Sequence, residues 1–290
     1  MKVAGFTIIR NAVKFDYPVL EAIRSVLPLC DTFYVGVGKS EDNTRELILS
    51  LADEKVVILD TVWDDSLRTG GTVLALETNK VFDQIPGSFD WCFYIQSDEC
   101  VHEADHGSIR AAMLKYKDDK NVEGLLFRYR HFYGQYHYIG VGRRWYSHEI
   151  RIIRNDKSIR SYKDAQGFRK TDGHKLRVKD SGAFIYHYGW VKPPASQQAK
   201  QKSFHRMWHD DAWVKKHVTA SDEFDYSNID LLDRYAGSHP KVMNSRIRSA
   251  NWEFTYRKDR VKRDLKYRVL YFVEMLTGWR IGENRNYRRI

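Results

Sequence analysis

Four short apolar runs, VAGFTII (3–9), TFYVGV (32–37), VVILD (56–60) and WCFYI (91–95), constrain the fold more than any other feature of the chain. Each has the length of a buried strand, and the segments between them carry apolar residues at helical spacing. After the first run, Leu20, Ile23 and Leu27 share one face of a helix starting near Asp16, with Pro18 in its first turn. After the second, GKSEDNT (38–44) turns into a helix that points Leu47, Ile48 and Leu51 inward. A helix over Val73–Phe82 precedes the fourth run, and GLLFRY (124–129) is a fifth strand. Strand and helix alternating through short connections predict an α/β fold, a mostly parallel sheet with helices on both faces. Right-handed crossovers would set the loops after Ile9, Val37, Asp60 and Ile95 along one edge. That is the edge where such sheets bind ligands.

Beyond residue 130 the pattern changes. EIRIIRN (149–155) and FIYHYGWV (184–191) read as strands flanking a loop that holds SYKDAQGFR. A helix follows with Phe204, Met207 and Trp208 inward, and a basic amphipathic helix spans Trp252–Leu276, with Val261, Leu265, Val269, Phe272 and Leu276 on one stripe. The expected division is a body over 1–195 and a mostly helical, basic extension over 196–290. Net charge is +10, of which eleven Lys or Arg against four Asp or Glu place +7 between Arg257 and Ile290. The imbalance therefore concerns what the tail touches. Three scattered cysteines make neither a disulfide framework nor a zinc knuckle, and with no run of transmembrane length the expected location is cytoplasmic, the basic helix being either a plain solvated face or a contact with the inner face of a membrane.

The candidate chemistry begins at FYIQSDECVHEAD (93–105), where an apolar strand ends in four acids and a histidine. Asp98 and Glu99 leave the strand on the predicted ligand edge and could hold Mg²⁺ or Mn²⁺ through oxygen; a plain surface turn is the alternative. Glu103 and Asp105 fit the first turn of the next helix, where negative charge is favoured. Asp42 and Ser40 fit either a helix cap or a nucleotide-facing turn. Arg10, leaving the first strand beside Asn11, could grip a phosphate in bidentate fashion. RTGG (68–71) would let backbone approach a diphosphate, although it lacks the glycine pattern of a dinucleotide fold. His187 is either a buried neutral histidine or the imidazole that completes a metal shell begun by Asp98. Asp164 and Glu149 are the candidate proton acceptors, with Asp164 preferred because its Gly-containing loop could aim it into a cleft.

This order of elements resembles the glycosyltransferase family 2 enzymes, nucleotide-sugar transferases of the GT-A fold, and in particular their lipopolysaccharide and polysaccharide members. FTIIRN stands at that family's opening strand, and LEAIRSVLPLCDTFYVGVGKSEDNT is similar to its helix, second strand and acidic turn. GGTVLALETNK matches its Gly-to-Asn helix, FYIQSDE its acidic strand end, and RIIRNDKSIRSYKDAQ the stretch that carries the acceptor-side acid. The resemblance implies a divalent metal at Asp98, Glu99 and His187, and contacts to a nucleoside-diphosphate sugar from Ser40, Asp42 and Asn79; Arg10, Asn11, Arg68 and Ser97 are further candidates for that contact from their place at the strand ends and loops. It implies inverting transfer to a saccharide or lipid-linked hydroxyl, with Asp164 or Glu149 as base. Two departures stand out: Gln96 replaces the first acid of the metal triad, and Val37 and Gly38 replace acids that touch the base and ribose. They leave a catalytically inactive scaffold as one rival reading. A nucleic-acid-binding protein is the other, although zinc-finger and RRM signatures are absent and no nucleic-acid partner is expected.

Overall fold

The computed structural model describes residues 1–217, 221–229, 231–257, 265–277, 280–283 and 285–290. Its first half follows the apolar runs: β1 (Val3–Ile9), α1 (Val19–Val26), β2 (Thr32–Gly38), α2 (Thr44–Leu49), β3 (Val56–Thr61), α3 (Thr72–Asp83) and β4 (Trp91–Tyr94). Next come β5 (Glu99–Val101), α4 (His106–Lys115), β6 (Gly124–Tyr133), β7 (Gln135–Gly140), β8 (His148–Arg154), β9 (Ile159–Tyr162), β10 (Gly167–Lys170) and the long β11 (Leu176–Trp190). The remainder holds α5 (Pro194–Arg206), α6 (Asp211–His217), β12 (Leu232–Arg234), α7 (Asn244–Arg248), α8 (Leu265–Thr277) and β13 (Tyr287–Arg289).

Alternation along β1 shows how the layers form. Ala4, Phe6 and Ile8 face a core with Val81 and Phe82 of α3 and Phe168 of β10. Val3 and Ile9 face the opposite core, with Val19, Ile23 and Val26 of α1, Ile48 of α2 and Ile109 and Met113 of α4. A period of two on the strand thus assigns side chains to two layers. Helix α3 starts where Gly70 and Gly71 take positive φ values of 60° and 69°, a backbone that ends whatever precedes it.

The expectation of a mostly parallel GT-A sheet is not met. The main sheet is mixed: β1–β2, β2–β3, β1–β4, β6–β11 and β11–β13 pair parallel. An equal number of pairs, β4–β8, β6–β8, β6–β7, β7–β12 and β5–β11, run antiparallel. The reason lies in the connections. Helices separate β1, β2, β3 and β4 from one another and β5 from β6, but β6 to β10 follow one another without a helix, and parallel neighbours need crossovers. Gly134 alone, at φ 69°, separates β6 from β7 and forces a hairpin, while β8 inserts between β4 and β6. The region after residue 130 thus contributes reversed strands to the same sheet.

The C-terminal part is laced into that sheet through β12 on β7 and β13 on β11. The expected Trp252–Leu276 helix is shorter. Residues 251–257 are not helical, Val261 lies outside the described residues, and α8 begins at Leu265. Trp252 instead donates its indole N–H to the Gly134 carbonyl at 2.8 Å. The apolar stripe does not pack inward either, since Val269, Phe272 and Leu276 are more than half exposed.

Candidate active site at the carboxyl edge of the sheet

Because β1 to β4 run parallel, Arg10, Gly38, Thr61 and Gln96 leave the sheet on one edge. β8 runs against β4, so its first residues, His148 and Glu149, reach that edge too. β6 and β11 point the same way as β4 and bring His131 and His187 alongside. Strand direction alone therefore gathers Asp98, Glu149, His131 and His187, residues up to 89 positions apart, at one end of the sheet.

Asp98 sits in the turn between β4 and β5 and is buried. Its Oδ2 accepts from Lys200 Nζ of α5 at 3.0 Å, while its Oδ1 lies 3.7 Å from His187 Nε2. Burial opposes ionisation of Asp98, yet the Lys200 ammonium, with His187 and Lys192 behind it, holds the carboxyl well below the usual carboxylate range. Burial also lowers the basicity of His187 against the pull of Asp98. The imidazole is therefore neutral near pH 7, and Lys200 is the charge that counters Asp98. Lys200 donates to Asp98 and to the Gly189 carbonyl at 3.0 Å and lies over the Tyr17 ring, 4.9 Å from its centroid. Gly189 is required by close approach: a Cβ there would lie 2.6 Å from His187 Nε2 and 2.8 Å from Asp98 Oδ2.

The tautomer of His187 follows from its partners. His131 Nε2 faces the Tyr146 carbonyl at 2.8 Å and must donate to it. Burial and the neighbouring His187 keep His131 neutral, so its Nδ1 accepts from His187 Nδ1 at 3.0 Å. His187 Nε2 is left with its lone pair toward Asp98 Oδ1. A carboxylate oxygen and an imidazole lone pair side by side form a donor set that suits a divalent cation, with the second ring nitrogen fixed from behind. Among the described residues, no three His, Cys, Asp or Glu side chains converge as a ready-made metal site. A bound Mg²⁺ or Mn²⁺ would therefore draw its other oxygens from phosphate and water, as Mg²⁺ commonly does.

Glu99, expected beside that metal, has both oxygens occupied. It forms a bidentate pair with Arg151 at 2.8 Å per contact, both side chains fully buried. Oε1 also accepts from the Tyr129 hydroxyl at 2.7 Å and Oε2 from the Gln96 N–H at 3.1 Å. Arg151 is thus the partner of Glu99. Gln96 turns its amide to the Ala165 carbonyl at 3.2 Å, tying the β4 turn to the loop that carries Asp164. Ser97 is half-buried between them.

Asp164 lies in the β9–β10 turn, flanked by Lys163 and Ala165 at φ 53° and 59°. Two left-handed residues other than glycine in one turn are costly and are seen where the surroundings hold them. The turn packs on the Gly70–Gly71 segment, where a Cβ on Gly71 would meet the Asp164 side chain at 2.7 Å and Trp208 at 3.3 Å. Burial raises the Asp164 carboxyl above its ordinary value. Glu149 is more deeply enclosed. Its Oε1 accepts from Gln166 Nε2 at 2.8 Å, its Oε2 has no partner among the described residues, and burial pushes its carboxyl up to about 7 against the opposing pull of Arg151.

The other expected donor contacts serve the loops themselves. Ser40 Oγ accepts from the Asn11 N–H at 3.0 Å, and Asn11 Oδ1 accepts from the Glu41 N–H at 2.8 Å. Asp42 accepts from the Thr44 N–H beside the start of α2 at 3.0 Å and from the Lys14 N–H at 2.7 Å. Asn79 exchanges hydrogen bonds with the backbone of Ser161 across α3 and β9. Arg10 pairs in bidentate fashion with the exposed Asp65 at 2.5 and 3.0 Å, and Arg68 pairs with Asp211 at 2.9 Å. Sequence reasoning missed Lys200, Lys192, Tyr17 and Arg151. None carries a spacing signal, since each meets its partner only through the sheet and α5.

No family model and no curated protein matches the chain. Among solved structures, S. aureus TarS 1–349 in complex with UDP is 13% identical, with a TM-score of 0.41 over 77% of this chain and 68% of that one. A further TarS structure aligns over 70% of this chain, and the chain spans only 39% of its length. Glucosyl-3-phosphoglycerate synthase from Mycobacterium tuberculosis, solved with Mn²⁺, UDP and phosphoglyceric acid, is 17% identical, with a TM-score of 0.29 over 46% of this chain and 43% of that one. The likeness to these nucleotide-handling proteins is distant.

Proposed function

We propose that the chain transfers a sugar from a nucleoside-diphosphate donor to a hydroxyl of a saccharide or lipid-linked acceptor, with inversion at the anomeric carbon. The observation that carries this reading is the buried, ionised Asp98 with its free-facing Oδ1 against the His187 lone pair, at the edge where parallel strands end. The resemblance of the sequence to family 2 transferases supports it independently of the sheet's mixed direction.

Asp98 and His187 would hold the divalent ion, whose chemistry is to offset charge on a departing diphosphate. Lys200 keeps Asp98 ionised and aimed, and His131 keeps the lone pair of His187 directed at the same point. The acceptor hydroxyl attacks the anomeric carbon from the face opposite the diphosphate and passes its proton to an Asp164 oxygen. Asp164 suits this role better than Glu149 because it is only half-buried, whereas Glu149 is enclosed. Arg10 is held by an exposed carboxylate and can exchange Asp65 for a phosphate without leaving a buried charge behind.

Donor hydrolysis across UDP-, GDP- and dTDP-sugars, with and without Mn²⁺, tests the reading. Turnover of at least one donor, lost in Asp98→Asn and greatly slowed in Asp164→Asn with an added acceptor, is expected. Full metal-free turnover, or an unchanged rate in both variants, would remove it.

A further inference from the structure

The face of α8 turned away from the body carries Val269, Phe272, Met275 and Leu276, which are 54%, 56%, 65% and 66% exposed. At 100° per residue these four positions fall within one arc of about 120°. Glu274 lies on the other side of the helix and anchors it, pairing with Arg143 at 2.6 Å and Arg280 at 3.6 Å. Arg280 in turn donates to the Gly142 carbonyl at 3.2 Å. The helix is therefore tethered through Glu274, with Leu270, Tyr271 and Val273 half-buried beside it and Val269, Phe272, Met275 and Leu276 left outward. Residues 257–268, the segment leading into it together with its first four positions, carry seven Lys or Arg against two Asp.

We propose that α8, together with the basic segment leading into it, docks the protein on an anionic phospholipid surface. The apolar face supplies burial at the headgroup boundary, and the +5 of residues 257–268 supplies attraction to negative lipid. A nucleic acid would use the positive charge and leave the four apolar side chains in water, so lipid fits both halves of the feature. The 13 residues of α8 span about 20 Å, short of the roughly 30 Å needed to cross a bilayer core, so the helix lies along the surface. The loop that receives it also carries Tyr146, whose carbonyl orients His131 at the candidate site. Docking thus sets that edge of the sheet close to the lipid, where a lipid-linked acceptor would be found; this last clause rests on the proposed transferase reading, and the docking itself does not.

The test is co-sedimentation of the full chain with vesicles of phosphatidylglycerol and phosphatidylcholine, against phosphatidylcholine alone. Binding to the anionic vesicles should exceed the neutral control by about tenfold or more and weaken in about 0.5 M salt. Phe272→Asp with Leu276→Asp should lower it about tenfold, with an unchanged urea midpoint because both side chains are exposed. Lys262→Glu with Arg263→Glu should lower it as well. Absence of vesicle binding, or equal binding by the variants, overturns the proposal. So does a concentration-dependent dimer abolished by the same apolar substitutions, which would show a second copy covering the face. Nucleoside-diphosphate binding, measured in parallel, reports on the transferase reading separately.

Discussion

Replacing Glu99 by Gln should be among the most damaging single-atom changes available in this chain. The substitution leaves the shape of the side chain intact and removes one charge from a pair in which both members are fully buried. Glu99 accepts four hydrogen bonds, two from Arg151 and one each from Tyr129 and the Gln96 backbone. An amide has one acceptor oxygen and turns its NH₂ toward the guanidinium. Arg151 keeps only the Ile150 and Gln166 carbonyls, at 3.0 and 2.8 Å, as partners for an uncompensated buried charge. Breaking one side of such a pair costs about 3–5 kcal/mol, a large part of the roughly 5–15 kcal/mol that holds a domain folded. Urea unfolding of Glu99→Gln, Arg151→Met and the double variant measures both the cost and the coupling. The singles should each lose about 3 kcal/mol or more, and the double should lose at least about 2 kcal/mol less than their sum. A Glu99→Gln protein within about 1 kcal/mol of the parent, or an additive cycle, would refute the view that this pair braces the Asp98 turn.

Glu149 gives a pH signature. Its folded carboxyl lies at about 7 against an ordinary 4.5, so the folded state binds the proton more tightly. The stability this contributes is complete below 4.5 and lost as pH rises through 7, by no more than about 3 kcal/mol. Glu149→Gln should flatten that fall in urea unfolding between pH 4.5 and 7, and an unchanged slope would contradict the assignment. Lys200→Met should cost about 3 kcal/mol by leaving Asp98 buried and unpaired, with much of it recovered in Asp98→Asn/Lys200→Met; equal unfolding midpoints for parent and single variant would dispose of this. His131→Phe should weaken Mn²⁺ binding, followed by calorimetry, about 10- to 100-fold by releasing the His187 tautomer, with the fold retained by circular dichroism. Gly189→Ala should do the same by pushing Asp98 and His187 apart, and native affinity in that variant would count against the close packing around them.

The first half of the fold was legible because each strand carries its own apolar run and each crossover its own helical period. Val73–Phe82 was read from the sequence, and the helix spans Thr72–Asp83. Strand direction after residue 130 was not legible. Whether β8 runs with or against β4 depends on where it inserts, and no local pattern in EIRIIRN records that. Asp98 and His187 could be singled out because a carboxylate at a strand end and a histidine in an aromatic strand are unusual in themselves. Lys200 could not, since a lysine in QQAKQK reads as a solvated helix residue until α5 folds over Gly189. Glu99 misled for the opposite reason: adjacent acids look alike in sequence, and only the pleat sends one to the cleft and its neighbour to Arg151. The amphipathic stripe of the tail was visible as a period, but which way it faces was decided by Glu274 and Arg143.

Titration of Mn²⁺ with UDP, GDP or dTDP into the intact protein and into Asp98→Asn bears most directly on the central claim. At least one diphosphate should bind the parent in a metal-dependent manner, and its affinity should fall about 100-fold in the variant, near the roughly 3 kcal/mol expected for a lost charged contact. Equal affinities, or no binding of any diphosphate by the parent, would contradict the account.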